Sequence, residues 1–224
     1  MSHLKVLVVA AHPDDEVLGC GGTIARHVAE GDTVEVVFMA DGISSRPDAN
    51  PYEFAKRRAS TEEAHSILGI KRFYGLDMPD NKLDSLPLLD IVQRLEEIVI
   101  ESAPDIVYTH HGGDLNIDHR VTYQSVMTAV RPQPDCSVRE IFAFEVMSST
   151  EWAGDSCTPF APDVFVNISA HWDQKQRALL AYAMEMRPHP HSRSIAHMDA
   201  LTLHRGMSVG LERAEAFKLI RKIA

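Results

Sequence analysis

An acidic cluster with a histidine lies near the start of the chain, at His12-Pro13-Asp14-Asp15-Glu16. Imidazole and carboxylate groups are common zinc ligands, so His12 and Asp15 could hold one ion from a single turn. A spare carboxylate beside such an ion could remove the proton of an attacking water molecule. Asp14 is the candidate for this base, because Asp15 would be occupied by the metal. The alternative interpretation is that these acids only cap a following helix and favour its dipole.

A second pair of candidate residues, Asp118-His119, lies in the middle of the chain. His119 would add a third ligand to His12 and Asp15. Two histidines and one carboxylate leave a fourth position for water, which is typical of catalytic rather than structural zinc sites. The pKa of water bound in such a site falls to roughly 7. This residue set therefore predicts metal-assisted hydrolysis.

Strands and helices alternate along the chain, and this alternation must position the two clusters. Apolar runs predict strands over residues 5–11, 33–40, 72–75, 105–109, 139–146 and 163–168. Helical spacing and helix-stop residues predict helices over residues 24–30, 52–68, 86–101, 118–130, 172–186 and 211–223. The pattern predicts an α/β fold with a mostly parallel, doubly wound sheet.

The expected strand order brings the two clusters together. In the common order 3-2-1-4-5, the first and fourth strands are neighbours at the point where the strand order reverses. The loops at residues 12–16 and 110–119 follow these two strands and would lie side by side. Ligands bind at this edge of such sheets, so we expect the site there.

The glycine-rich segment Gly19-Cys20-Gly21-Gly22 suggests a nucleotide-binding loop, but its spacing argues against one. It does not match Gly-x-Gly-x-x-Gly, because position 24 is Ile. The preceding acids would also repel a pyrophosphate. We therefore expect these glycines to allow close packing.

Composition excludes several classes of protein. The chain has 224 residues and a formal net charge of −10, which argues against a nucleic-acid surface. No apolar run approaches the ~18–20 residues that span a bilayer, so no membrane span is predicted. Three cysteines indicate neither a disulfide framework nor a cysteine zinc cage. We expect one domain over residues 1–224, in a reduced cytoplasmic enzyme.

The stretch from Ala11 to Gly22, AHPDDEVLGCGG, resembles the signature of the PIG-L/LmbE family of zinc-dependent N-deacetylases. A second similar element is Asn116-Ile117-Asp118-His119. The resemblance implies a Rossmann-like, three-layer α/β/α fold. It also implies hydrolysis of the N-acetyl group of a glucosamine-type sugar or sugar conjugate.

Residue roles follow from the resemblance position by position. His12, Asp15 and His119 match the zinc ligands of the family. Asp14 matches the general base. Asp118 matches a residue that orients the base or a ligand.

Weaker matches concern the substrate. Asp80, in a Pro-Asp turn, matches an acid that contacts sugar hydroxyls. Arg57 and Arg58 are similar to a substrate-side arginine, with Arg57 preferred, although a solvated helix face is the alternative. These matches would place one acid and one arginine beside the sugar.

Two positions bear on the acid and oxyanion roles. His191 matches a late histidine that polarises the amide oxygen, and His189 is the second choice. Asn116 departs from the family, which often has histidine there. Asparagine can hydrogen-bond a substrate but cannot exchange a proton, so Asn116 would not supply the acid role of that histidine.

The sequence thus predicts a zinc-dependent N-deacetylase, with ferrous iron or another divalent ion as a possible replacement. Its partner would be a small N-acetylated sugar or conjugate, and a homo-oligomer is possible. Two alternatives stay open. One is a metal-dependent hydrolase of another amide or ester, and the other is a non-catalytic sugar-binding module, to which Asn116 lends slight support.

Overall fold

The computed structural model describes residues 3–47, 49–155 and 157–224. Its strands are β1 Lys5–Ala10, β2 Thr33–Ala40, β3 Arg72–Met78, β4 Ile106–His110, β5 Glu140–Phe144, β6 Val164–Asn167 and β7 Ala214–Lys222. They form one sheet of order β3-β2-β1-β4-β5-β7-β6. Strands β1 to β5 pair in parallel, whereas β7 runs antiparallel to both β5 and β6.

Helices cover both faces of the sheet. They are α1 Asp15–Ala29, α2 Pro51–Leu68, α3 Leu88–Ser102, α4 Ile117–Ala129, α5 Trp172–Ala181 and α6 Ile195–Met207. Alternate residues of β1 face opposite ways, as a strand requires. Val6 and Val8 pack with α1, α2, α5 and α6, while Leu7 and Val9 pack with α3 and α4. The predicted three-layer α/β/α class is therefore confirmed.

The order of the first five strands agrees with the expected 3-2-1-4-5. Strand β1 lies between β2 and β4, and Val9 of β1 is paired with Thr109 of β4. The loops that follow β1 and β4 therefore leave the sheet next to each other. No helix of the described residues combines the length and apolar character needed to cross a membrane.

The predicted helix over residues 211–223 is wrong, because this segment is strand β7. Phe217 of β7 is paired with Phe144 of β5 on one side and Val164 of β6 on the other. Hydrogen bonding to two neighbours outweighs the helix propensity of its Ala, Glu, Leu and Lys residues. The sequence prediction also missed helix α6. Its N-terminal cap residue is Ser194, whose side chain accepts a hydrogen bond from the His197 N–H.

The predicted start of the first helix at residue 24 is also wrong, since α1 begins at Asp15. The helix is kinked at Cys20, where φ is −144° and ψ is 22°. A Cβ at Gly22 would lie 2.8 Å from the Ile168 side chain, and one at Gly19 would overlap the Phe144 ring. The glycines thus let a kinked helix, rather than a loop, pack closely on the sheet.

A buried ion pair holds the two halves of α1. Glu215 accepts hydrogen bonds from the backbone N–H of Gly22 at 2.9 Å and of Thr23 at 2.7 Å. Lys175 donates to the carbonyl of Leu18 at 2.9 Å and contacts Glu215 at 2.5 Å. Backbone groups freed by the kink are therefore satisfied by two buried charged side chains.

Candidate active site

Three buried donor groups meet where the loops after β1 and β4 converge. His12 follows β1, Asp15 begins α1, and His119 lies in the first turn of α4. Nδ1 of His12 is 3.2 Å from Oδ2 of Asp15, and Nε2 of His119 is 3.3 Å from the same oxygen. One donor atom from each residue lies within 4.8 Å of the other two. The structure thus brings together the three ligands predicted from the sequence.

The hydrogen bonding of these donor atoms leaves them able to bind a metal ion. Asp15 Oδ1 is buried without a hydrogen-bond partner among the described residues, and the 3.3 Å contact of His119 Nε2 with Asp15 Oδ2 is not a well-aligned hydrogen bond. Buried polar atoms normally have a partner, so an exception needs a cause. Two imidazoles and one carboxylate form a donor set that zinc or ferrous iron accepts with coordination positions to spare. We conclude that the three residues fit a divalent ion.

The surrounding carboxylates favour positive charge at this point. Burial opposes protonation of His119, but the charges of Asp15 and Asp114 outweigh it and raise its pKa to about 9. Burial likewise opposes protonation of His12, yet hydrogen bonds to three carboxylates hold its pKa well above the usual value. Burial raises the pKa of Asp15, but the charge of the His119 ring and the hydrogen bonds from His119 and His12 more than offset this and the pKa is lowered. A divalent cation would meet the same attraction.

Asp114 supports His119 from the side opposite Asp15. Its Oδ1 lies 3.1 Å from Nδ1 of His119. The carboxylate also accepts hydrogen bonds from the hydroxyls of Ser149 and Thr150, the latter at 2.5 Å. A carboxylate that binds the second ring nitrogen of a histidine ligand fixes the orientation of that ring. Asp114 was not predicted from the sequence, although its position in the loop after β4 is a usable signal.

His110, the last residue of β4, packs against the same ring. The two imidazoles are stacked with centroids 3.9 Å apart. Nε2 of His110 accepts a hydrogen bond from the Ala11 N–H at 2.8 Å, and burial holds its pKa well below the usual value. His110 is therefore a neutral ring that ties the end of β1 to His119.

Asp118 joins His12 to the loop after β3. Its Oδ2 lies 3.1 Å from Nε2 of His12 and accepts a hydrogen bond from the Asn81 N–H at 2.7 Å. Its Oδ1 accepts from the Leu83 N–H at 3.0 Å. Because these bonds fix both carboxylate oxygens, Asp118 is placed to orient the His12 ring.

Asp80 reaches the same nitrogen of His12. Its Oδ1 lies 3.1 Å from Nε2, and its side chain also contacts the Ser45 hydroxyl. Burial raises the pKa of Asp80, but the contacts with His12 and Ser45 lower it to about 2. Asp80 is therefore an ionised carboxylate beside the metal-ligand candidate His12, and its contact with a sugar hydroxyl stays a prediction.

Asp14 is the N-terminal cap residue of α1, but its side chain makes no capping hydrogen bond. Its φ is 129°, which is strained for a residue with a side chain. The Asp14 N–H donates to Glu16 at 3.0 Å, and Glu16 in turn accepts from the Tyr182 hydroxyl at 2.9 Å. The interpretation that Asp14 only caps a helix therefore has no support.

The carboxylate of Asp14 instead faces Arg193. Oδ2 of Asp14 lies 3.0 Å from Nη1 of Arg193. Burial raises the pKa of Asp14 to about 7, even though Arg193 acts to lower it. A carboxylate with a pKa near neutrality is suited to accept and return a proton.

Asp14 opens onto a cavity of about 150 Å³. Its lining residues are almost all charged or polar: His12, Asp14, Gly42, Ser45, Arg46, Arg57, Asp80, Asn81, Asn116, Glu185 and Arg193. Arg57 is buried and donates to the Pro13 carbonyl at 2.6 Å and to Glu185 at 2.7 Å. Arg58 is exposed and pairs with Glu62 on its own helix. Of the two arginines, Arg57 is thus the one beside the site.

Asn116 lies in the cavity wall, and its side chain also makes two hydrogen bonds within the protein. Its Oδ1 accepts a hydrogen bond from the Asp118 N–H at 2.8 Å and so caps α4. Its Nδ2 donates to Oδ1 of Asn81 at 3.3 Å. The amide still has one N–H and one oxygen lone pair available, so the predicted contact of Asn116 with a substrate stays a prediction.

The structure differs from the sequence prediction in the segment 188–193. The residue that enters the cavity wall is Arg193, whereas His189 is exposed. Nδ1 of His191 accepts a hydrogen bond from the Arg193 N–H at 3.0 Å, and its ring packs on Trp152. The structure does not bring His191 into the cavity wall with Asp14, as the predicted polarising role requires.

Glu185 and Arg46 also belong to the site and were not predicted. Arg46 and Arg57 both donate to Oε1 of Glu185, at 2.6 and 2.7 Å. Both residues come from irregular segments, and an isolated Glu or Arg there carries no sequence signal. Only the folded chain places them around Asp14.

Comparisons with known proteins identify the family of this chain. Residues 7–130 match the model of the family described as PIG-L, GlcNAc-PI de-N-acetylase. The chain is 31% identical over 172 residues to the uncharacterized deacetylase YaiS of Escherichia coli K12, across 75% of this chain and 83% of that protein. It is 29% identical to the probable N-acetyl-alpha-D-glucosaminyl L-malate deacetylase 2 of Bacillus cereus, across 88% and 92%.

The fold is shared with a solved structure of different named activity. GalB, the 4-carboxy-2-hydroxymuconate hydratase of Pseudomonas putida KT2440, superimposes with a TM-score of 0.80 over 99% of this chain and 98% of that one, at 22% identity. This similarity concerns the fold alone. The matched segment 7–130 contains every metal-ligand candidate as well as Asp14, and on this match the chain belongs to the PIG-L family.

Proposed function

We propose that this chain removes the N-acetyl group from an N-acetylglucosamine-type sugar or sugar conjugate, with the help of a divalent ion, zinc or ferrous iron. The observation that carries the proposal is the pairing of Asp14, a buried carboxylate free of any capping bond, with the adjacent triad of His12, Asp15 and His119. The two relatives named as deacetylases support the choice of reaction.

In this proposal His12, Asp15 and His119 hold the ion. When bound, a divalent ion supplies Lewis acidity, which acidifies water and polarises a carbonyl group. Asp14 accepts a proton from the attacking water, whose oxygen bonds to the acetyl carbon. The C–N bond then breaks, acetate leaves, and the proton held by Asp14 passes to the amine nitrogen.

The neighbouring residues keep this base in place. Arg193, at 3.0 Å, fixes the Asp14 carboxylate from the cavity side. The bond from the Asp14 N–H to Glu16 holds the strained backbone. Asp80 and Arg57 line the cavity and supply an acceptor and a donor for the hydroxyl groups of a sugar.

The fold alone does not select deacetylation, because a named hydratase shares it. A direct test is a panel of free N-acetyl sugars, nucleotide sugars and glycan conjugates, with simple amides and esters as comparison substrates. Metal-loaded protein is expected to release acetate and a free amine from at least one N-acetylated sugar. Cleavage of esters or simple amides alone would replace the proposal with another hydrolase, and sugar binding without any acetate release would indicate a binding module.

A further inference from the structure

Glu16 is the third acid of the segment that follows β1, and it is fully buried. It lies in the first turn of α1, directly after Asp15. Among the described residues, no arginine or lysine forms an ion pair with it, and its charged neighbour is His65. A buried carboxyl group is costly unless its oxygens are hydrogen-bonded. The hydrogen bonds of Glu16 must therefore explain why an acid occupies this position.

The first of these bonds goes to the backbone of Asp14. Oε2 of Glu16 accepts a hydrogen bond from the Asp14 N–H at 3.0 Å. In a capping box, an acid of the first turn bonds the N–H of the cap residue, and the cap side chain bonds the first turn in return. Asp14 does not make the return bond. Glu16 therefore holds the backbone of Asp14 while the Asp14 carboxylate stays free for the cavity.

The other oxygen of Glu16 is fixed from two further elements. Oε1 accepts a hydrogen bond from the Tyr182 hydroxyl at 2.9 Å and lies 3.3 Å from Nε2 of His65. Tyr182 directly follows α5 and is fully buried, and His65 is a buried residue of α2. Burial raises the pKa of Tyr182, so its hydroxyl keeps the proton that it donates. Glu16 is thus held from α2 and from the end of α5 while it holds Asp14.

Packing alone does not explain His65. Its ring is stacked on Phe38 and meets Phe73 edge-on, with centroids 5.7 and 5.2 Å away. Nδ1 is buried without a hydrogen-bond partner among the described residues. An apolar side chain would fill this space without leaving a buried polar atom unpaired. The histidine is explained by its other nitrogen, which donates to Glu16 in the tautomer that carries the proton on Nε2.

We propose that Tyr182 and His65 are positioning residues for Asp14, and that they act through Glu16. The proposal rests on the proposed function, because it takes Asp14 as the base of that reaction. Fixing both oxygens of Glu16 fixes the Asp14 N–H, and the strained φ of 129° then directs the carboxylate to the cavity. Misplacing a reacting group by about 1 Å can cost about 10²-fold in rate. Loss of a donor to Glu16 should therefore lower kcat and leave KM unchanged.

Tyr182→Phe removes one hydroxyl and keeps the ring. We expect kcat for the panel substrate that is cleaved fastest to fall about tenfold, with KM within about twofold and zinc affinity unchanged. Tyr108→Phe is the matched control, because it removes another buried tyrosine hydroxyl, 3.1 Å from Nε2 of His27 in the last turn of α1. Its kcat should match the parent. Equal losses of kcat in the two variants, or a loss carried by KM, would overturn the proposal.

His65 allows a rescue test. His65→Leu removes the donor to Glu16, and kcat should fall by about threefold to tenfold. His65→Gln keeps an N–H that can donate to the same oxygen, so most of the lost kcat should return. If the glutamine variant is as slow as the leucine variant, the ring acts through packing and His65 is not a positioning residue.

Hydrogen exchange of the Asp14 amide tests the arrangement without turnover. In metal-loaded protein, Tyr182→Phe should speed this exchange about tenfold, because the acceptor of the Asp14 N–H is then less firmly held, and Tyr108→Phe should not. Unchanged exchange in Tyr182→Phe would overturn the proposal, whether or not a substrate is cleaved. If no sugar releases acetate but the exchange responds as expected, the proposed function fails and the positioning of Asp14 through Glu16 stands.

Discussion

At Asp14, backbone strain, burial and an arginine partner act on a single carboxylate. The strained φ of 129° turns the side chain away from the helix it precedes and towards the cavity. Strain of this kind costs about 1–3 kcal/mol and persists only where the surroundings enforce it. Here the bond to Glu16 and the contact with Arg193 provide that enforcement.

Replacing Asp14 by Asn keeps the size of the side chain but removes the proton acceptor. We expect kcat for acetate release to fall by roughly 10²–10⁴, the usual contribution of a general base, with zinc content unchanged. The measurement is steady-state kinetics together with metal analysis. Asp77→Asn is the matched control, because Asp77 is exposed and also has a positive φ, of 48°. A turnover of Asp14→Asn within a few-fold of the parent would remove Asp14 from the role of base.

The ligand assignment of His119 has a separate test. His119→Ala should weaken zinc binding by more than about 100-fold, because even residues that only orient a ligand are worth 10–100-fold. Equilibrium dialysis against zinc measures the change. His204→Ala, at an exposed position of α6, should bind zinc like the parent. Full zinc affinity in His119→Ala would contradict the triad.

The residues found from the sequence share one property: their chemistry is visible in a short motif at a strand end. His12, Asp14 and Asp15 follow β1, and His119 follows β4. Glu185 and Arg46 could not be found this way, because they lie in irregular segments that are far apart in the chain. Only the folded chain brings Arg46 and Arg57 into contact with Glu185.

Among the elements, the parallel strands β1 to β5 could be predicted from the sequence pattern and the expected topology, whereas α6 and β7 could not. Strands β1 to β5 are apolar runs separated by helices, and buried parallel strands have this appearance. Strand β7 contains Ala, Glu, Leu and Lys, which also suit a helix. The segment is a strand because it pairs with β5 and β6, and a local sequence pattern does not predict such long-range pairing.

The kinked helix α1 positions Asp15 and depends on the buried pair of Lys175 and Glu215. Lys175→Met should lower the free energy of unfolding by about 3–5 kcal/mol, because it leaves Glu215 charged and buried without its partner. Urea denaturation measures the change. Lys56→Met, on an exposed face of α2, is the control and should stay within about 0.5 kcal/mol.

A loss below about 1 kcal/mol in Lys175→Met would show that the backbone bonds of Gly22 and Thr23 to Glu215 suffice alone. Adding Glu215→Gln in the same chain should recover part of the stability. The neutral amide no longer carries an uncompensated charge, yet its oxygen can still accept a backbone hydrogen bond.

For the whole molecule, the net charge of −10 describes the average and not the site. Around the cavity, Arg46, Arg57 and Arg193 face Asp14 and Glu185, and the triad has room for a divalent cation. The three arginines of the cavity are thus matched by the carboxylates of Asp14, Asp80 and Glu185. The single domain over residues 1–224 and the homo-oligomer stay predictions.

The central claim is that a metal held by His12, Asp15 and His119 enables hydrolysis of an N-acetyl sugar. The most direct measurement is acetate release from N,N′-diacetylchitobiose and other N-acetylated sugars by the parent protein, before chelation, after chelation, and after zinc is restored. We predict release that stops on chelation and returns when zinc is restored, since the triad fits a divalent ion. Release that continues at full rate in metal-free protein would contradict the account.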